Sequence, residues 1–288
     1  MVSYPLFSSQ HPFTIYRTAT DGDAILDKSE ADIKRCYTTF QTKVKKKSTH
    51  NYTPHGFVDP IKSRLKKLYF SDCEAAKEIR KHHSEFTSIH RRVYHNRCPY
   101  CNLSEANTIE HILPKDAYPE LAIHVHNLIP CCSKCNSHKG LAVKDTYGVP
   151  HTLNLYYHDP EEFEYLEVDC QLDKNGFPKF NYRLDFPQNI NSNLPSIITN
   201  HYTRLHLLER YNAAVISLYT ELEDAIRMNI EDDIHSTLEK LKGFAVRSGA
   251  HYGLNHYRTA LLRCLLSSTS YHTYLSILFG KSSLSDRP

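Results

Sequence analysis

Cys98-Pro99-Tyr100-Cys101 opens a frame that closes thirty residues later with Cys132-Ser133-Lys134-Cys135-Asn136-Ser137-His138-Lys139-Gly140, and Thr108-Ile109-Glu110-His111-Ile112-Leu113-Pro114-Lys115 lies between the halves. Two Cys-x-x-Cys pairs at this separation predict a tetrahedral zinc site built from Cys98, Cys101, Cys132 and Cys135. All four positions are filled by sulfur, so the zinc is expected to be structural. Cys131 is also suitably spaced from Cys135. Cys132 is preferred because it restores the two-residue gap of Cys98 and Cys101. Within the frame the pattern predicts a strand over 108–113 ended by Pro114, a second strand over 127–131, and a helix over 133–139 with Gly140 as its stop. Two short strands and a helix bury too little surface to stand alone. Thiolate ligation of zinc would add about 10–16 kcal/mol of apparent binding energy that doubles as folding energy.

Glu110, His111 and Asn136 point to a second, hydrated ion beside a base. A neutral imidazole at His111 can take a proton from water near pH 7. One histidine among nineteen would ordinarily be a packed or surface residue; the adjacent Glu110 changes that weighting. Glu110 is the hard oxygen ligand that Mg²⁺ or Mn²⁺ requires. Neighbours on a strand point to opposite faces. Both side chains can reach one centre only if the strand ends or bends there, which Pro114 and the loop after it allow.

These residues resemble the HNH endonuclease family in its zinc-knuckle branch, through Cys98-x-x-Cys101, Glu110-His111-Ile112-x-Pro114-Lys115, Asn127-Leu128 and Cys132-x-x-Cys135-Asn136-x-x-Lys139-Gly140. The likeness covers about 45 of 288 residues. It implies a ββα-metal fold and a metal-dependent hydrolysis of phosphodiester bonds that leaves a 5′ phosphate and a 3′ hydroxyl. His111 would be the base. Glu110 stands where the family often has Asp. Asn136 would be the second metal ligand through its side-chain oxygen, or else a helix-capping residue, with His138 as the weaker alternative. Asn127 would orient loop and base through backbone hydrogen bonds. Lys115 and Lys139 are candidate phosphate contacts or solvated surface lysines.

Bulk properties place few further limits. Hydrophobic content of 40% and charged content of 23% describe an ordinary soluble chain. No apolar run approaches the ~20 residues of a membrane helix. The start MVSYPLFSSQ lacks the pattern of a secretory signal, so a cytoplasmic location is expected. Net charge is +3, but 30–97 holds sixteen Lys/Arg against seven Asp/Glu. Lys45, Lys46 and Lys47 are the densest part of that segment and suit a DNA backbone, or form a solvated helix face.

The expected fold class is α+β. A basic, mainly helical region occupies 1–97, irregular to about 28 and helical over 30–42 and 61–90. The zinc-held module follows over 98–142, then a loop and β-hairpin over 143–196 turning at Asp173-Lys174-Asn175-Gly176. A helical region spans 197–280, with helices from 197, over 231–246 and over 257–267. Tyr157-His158-Asp159-Pro160, the hairpin, and Tyr202-x-x-Leu205-x-Leu207-x-Glu209-Arg210 resemble HNH proteins of bacterial anti-phage defence, including the nuclease partner of Septu-type systems. That implies foreign DNA as target and a sensor or ATPase partner. A homodimer would suit cutting of both strands. The competing expectation is a catalytically inactive zinc-ribbon binding or interaction subunit of a larger defence complex.

Overall fold

The computed structural model describes residue 6 and residues 11–70, 72–89, 96–227 and 234–285. Arg91 and Arg92 of the basic segment, and the expected helix start at 231–233, lie outside the described residues.

The N-terminal stretch is not irregular throughout. Helix α1 spans Pro12–Ala19, started by the His11 ring, which accepts from the Phe13 N–H, and by Pro12 in the first turn. Its Phe13, Ile15 and Tyr16 are buried. Helix α2, Ala24–Asp27, is capped by the Asp23 carboxylate accepting from Ile25 and Leu26 N–H groups at 3.0 and 3.2 Å. Helix α3, Glu30–Lys45, buries Ile33, Tyr37, Phe40 and Val44 at helical spacing. Helices α4, Ile61–Lys67, and α5, Glu74–Ile89, follow.

Strands β1, Thr108–His111, and β2, Leu128–Cys131, pair antiparallel, with Glu110 opposite Ile129 and His111 opposite Leu128. Helix α6, Ser133–Lys139, comes next. A hairpin of β3, Leu166–Leu172, and β4, Pro178–Leu184, turns at Asp173–Gly176. There the Asp173 carboxylate accepts from Asn175 and Phe177 N–H groups, and Gly176 takes a φ of +81°. Helices α7, Leu194–Arg204, and α8, Leu207–Arg227, are separated at His206, whose φ of +52° is incompatible with a right-handed helix. Helices α9, Ile234–Tyr252, α10, Tyr257–Ser267, and α11, Thr269–Ser285, complete the described chain. Among the described residues no helix is long and apolar enough to cross a membrane.

The architecture is α+β. By contact the chain groups into two compact units. One holds the residues up to Pro160 together with 192–205; the other holds 161–191 and the residues from His206 onward. The hairpin thus groups with the C-terminal helices, and α7 groups with β1, β2 and α6.

The first unit is organised beneath β1 and β2. Phe13 and Tyr16 of α1, Ile33 and Tyr37 of α3, Leu65 of α4 and Ile79 of α5 form one core with Ile109 of β1 and Leu128 of β2. Phe40, Val44 and Tyr52 form a second cluster with Leu113 and Leu121 of the loop between the strands. Each such side chain contributes about 1.5–3 kcal/mol when fully buried. These contacts hold the strand pair and its loop to the N-terminal helices. In the second unit the hairpin packs on α10 and α11. Asn255 accepts from the Tyr165 and Leu166 N–H groups, and Arg263 donates to the Leu166 carbonyl.

Candidate functional site

The four sulfurs of Cys98, Cys101, Cys132 and Cys135 lie within 4.8 Å of one another, and all four residues are buried. Zn–S bonds of about 2.3 Å in a tetrahedron set sulfurs about 3.8 Å apart; Cys101 and Cys132 Sγ are 3.8 Å apart. The donor set and spacing fit one zinc ion. Cys132 also caps α6, its sulfur accepting from the Cys135 N–H. Cys131 is outside the cluster. Its thiol meets the Thr108 hydroxyl, and burial pushes it up to about 12.

Asn127 braces the loop that follows β1. Its side-chain oxygen accepts from the Leu113 N–H at 2.8 Å, and its amide donates to the Leu113 and Leu121 carbonyls at 3.0 and 3.2 Å. One side chain therefore ties both ends of 113–121 together. The buried Glu120 of the same loop accepts from the Tyr52 hydroxyl and the His55 N–H.

β1 ends at His111, and the side chains of Glu110 and His111 leave it toward different partners. The His111 ring sits edge-on to Tyr69, centroids 4.4 Å apart, and its Nε2 lies 2.9 Å from the Ala122 carbonyl. A carbonyl only accepts, so Nε2 carries the hydrogen and the neutral ring has its lone pair on Nδ1. Burial pushes His111 down to about 4, helped by Lys115 and Lys139. At pH 7 the ring is neutral, the form a general base needs. Lys115 is half-buried with its amino group 4.9 Å from the centre of the Tyr69 ring, and Asp116 pairs with Lys66 of α4.

Glu110 faces α6. Its Oε1 is 2.8 Å from Lys139 Nζ, which also donates to the His111 carbonyl at 2.9 Å. Lys139 is 1% exposed and Glu110 7%. Burial raises the Glu110 carboxyl above its ordinary range, although Lys139 pulls it back. Lys139, a phosphate contact on the sequence reading, is thus an internal ion-pair partner. The reason is its position in the last turn of α6, directly over the end of β1. Asn136 donates to the Thr108 hydroxyl at 3.3 Å and the Ile109 carbonyl at 3.4 Å. Those acceptors fix the amide with Nδ2 toward the strand and Oδ1 away from it. Among the described residues no hydrogen bond or ion pair joins the His111 ring to Glu110 or Asn136. His138 is half-buried. A carboxylate and an amide oxygen are the kind of hard donor that Mg²⁺ or Mn²⁺ takes, but Asn136 turns its nitrogen, not its oxygen, to the strand that carries Glu110. Glu110 can supply that ligand only while sharing it with Lys139.

Three groups at the site carry no local sequence signature. Tyr69 and the Ala122 carbonyl position His111. Arg204 of α7 donates from Nε to the Lys139 carbonyl at 2.8 Å, placing a cation at the C-terminal end of α6. Gly140, just past α6, takes φ +59° and ψ −154°, a conformation essentially confined to glycine. A Cβ there would meet Arg204 Nη2 at 2.7 Å. Gly140→Ala is expected to cost about 1–3 kcal/mol, read as a lowered midpoint in denaturant titration; an unchanged midpoint would mean the turn relaxes freely.

Lys45, Lys46 and Lys47 are exposed at the C-terminal end of α3 and just beyond it.

No family model matches the chain, and no solved structure matches it. Over 50 residues it is 44% identical to Septu protein PtuB of Bacillus thuringiensis, a match spanning 16% of this chain and 20% of that protein. The chain therefore matches about a fifth of that relative's length.

Proposed function

We propose that this chain is a metal-dependent HNH-type endonuclease that hydrolyses DNA in bacterial anti-phage defence. The observation that carries the reading is the joining of two strands and a helix by four clustered cysteines, with Glu110 and His111 at the end of one strand and Asn136 on the helix beside it. The 50-residue likeness to a Septu protein supports the defence role; a sensor or ATPase as protein partner is part of the proposal. Zinc would hold the scaffold. Glu110 and Asn136 would hold Mg²⁺ or Mn²⁺, which when bound supplies positive charge against the phosphate and the leaving oxygen. His111 accepts the proton of an attacking water at Nδ1 while the Ala122 carbonyl holds the other nitrogen. Asn127 keeps the loop that bears Ala122 in place.

Zinc-loaded protein with supercoiled plasmid should nick or linearise it in Mg²⁺ or Mn²⁺ and stop on chelation of that ion. Glu110→Gln should remove the dependence on added metal along with the activity. Cleavage that continues unchanged in Glu110→Gln would refute the metal assignment. Replacing Lys45, Lys46 and Lys47 with Ala should weaken DNA binding and flatten its salt dependence, each lost phosphate contact reducing the slope by about 0.9. An unchanged slope would remove these lysines from the interface.

The Glu110–Lys139 ion pair favours a second reading, in which the module is a catalytically silent zinc-ribbon subunit that binds DNA or a partner. In that case the plasmid stays intact with every divalent ion, even when the chain is supplied with its partner.

A further inference from the structure

We propose that Cys170 and Cys264 form a thiol pair that a hydroperoxide oxidises to a disulfide between β3 and α10. Both cysteines belong to the second unit, whereas the four clustered cysteines belong to the first. Their chemistry is independent of the nuclease reading.

Side chains alternate along a strand. Leu166 and Val168 of β3 are buried, and Cys170 follows on the same face, half-buried. α10 packs on β3. Arg263 anchors it there, donating to the Leu166 carbonyl at 2.7 Å and pairing with Glu167 at 3.4 Å. Cys264, the next residue, is buried. Across this contact the Cys170 and Cys264 thiols hydrogen-bond to each other. A second bond reaches Cys170 from Ser268, the cap of α10, whose N–H donates to the Cys264 carbonyl at 2.9 Å. The Ser268 oxygen accepts from the Tyr271 N–H at 3.2 Å, which leaves its hydroxyl hydrogen to donate to the sulfur.

These hydrogens set the two thiols apart. Cys264 and Ser268 donate to the Cys170 sulfur and hold its thiol below the ordinary range, against the opposing effect of burial. Cys264 gives up that hydrogen to the bond and is buried, and both effects push it up. Cys170 is thus the sulfur that ionises and that solvent reaches. Cys264 is the one that keeps its proton. An accessible thiolate beside a second thiol is the arrangement of a reversible redox pair. Half-burial of Cys170 favours a small hydroperoxide over a bulky peptide disulfide as the oxidant.

The Cys170 thiolate attacks the terminal oxygen of the hydroperoxide. The O–O bond breaks, the alkoxide leaves with the proton that Cys170 gave up, and Cys170 becomes a sulfenic acid. The Cys264 sulfur then attacks Cys170 Sγ. The S–S bond forms, the S–O bond breaks, and the Cys264 proton leaves with the hydroxide as water. Two thiols and one hydroperoxide give one disulfide, one alcohol and one water. The sulfurs lose two electrons and the peroxide gains them. The link clamps the hairpin to α10.

The test treats zinc-loaded full-length protein with near-stoichiometric tert-butyl hydroperoxide, alkylates it without reductant, digests it and maps the peptides by mass spectrometry. The expected product is a Cys170–Cys264 peptide pair lighter by two hydrogens, formed before zinc is released and reversed by dithiothreitol. Cys264→Ser should stop the reaction at the sulfenic acid, so that dimedone labelling of Cys170 rises about ten-fold or more over the unsubstituted protein. Cys170→Ser should leave Cys264 reduced and unlabelled. Absence of the 170–264 pair once the zinc cysteines have begun to oxidise overturns the proposal. So does dimedone labelling of Cys170 that is the same with Cys264 and with Ser at that position. A map that joins Cys170 only to a second copy of the chain overturns it as well. If Cys264→Ser fails to fold, the peptide map of the unsubstituted protein still decides the matter.

Discussion

Purified protein is expected to carry one zinc ion per chain, and stripping it should unfold the β1–β2–α6 region while the hairpin and C-terminal helices keep their structure. β1 and β2 pair over four residues each, and α6 has seven. Neither a strand pair nor a helix of that size is stable alone in water. The four cysteines bind its two ends to a single point, and structural zinc sites of this kind contribute about 10–16 kcal/mol of apparent binding energy. Ile109 and Leu128 belong to the same core as α1, α3 and α5, so the loss should spread through the first unit. The second unit has separate contacts among β3, β4, α10 and α11. Heating the chelated protein, or Cys135→Ser, should therefore show one transition lost or sharply lowered and another nearly unmoved. A single transition unaffected by chelation would show that the sulfur cluster does not carry the fold.

His111→Ala is expected to lower the rate of DNA cleavage by about 10²–10⁴-fold, the usual worth of a positioned general base, while zinc content stays unchanged. The substitution also strips the Ala122 carbonyl of its buried donor, which costs about 1–3 kcal/mol of stability. His111→Gln distinguishes the two effects. A glutamine amide can return a donor to that carbonyl and recover stability, but it has no basic nitrogen and should recover no rate. Equal recovery of both would show that His111 serves the fold alone. Full activity in His111→Ala would move the base elsewhere.

The local elements of this chain were largely legible from pattern. The strand, loop, strand and helix between Cys98 and Gly140 follow from Pro114, from Gly140 and from the two cysteine pairs. The hairpin after it follows from Asp173-Lys174-Asn175-Gly176 between alternating apolar residues. α1 was missed although Pro12 and the apolar Phe13, Ile15 and Tyr16 mark it, because the eight-residue helix offers barely two turns of periodicity. The apolar repeat from Ile197 to Ile226 reads as one helix, yet it breaks at His206. A positive φ at a non-glycine residue leaves no mark on hydrophobic spacing.

The identity of the clustered cysteines, the α+β character and the exposure of Lys45, Lys46 and Lys47 follow from residue type and spacing, because ligand chemistry and helix periodicity are local. Folding in three dimensions alone decided which partners Glu110, His111 and Lys139 have. Ion pairing in a buried site depends on which side chains are excluded from water together. That exclusion is set by α6 lying over the end of β1, by Tyr69 and the Ala122 loop closing on His111, and by Arg204 returning from a helix more than sixty residues further along the chain.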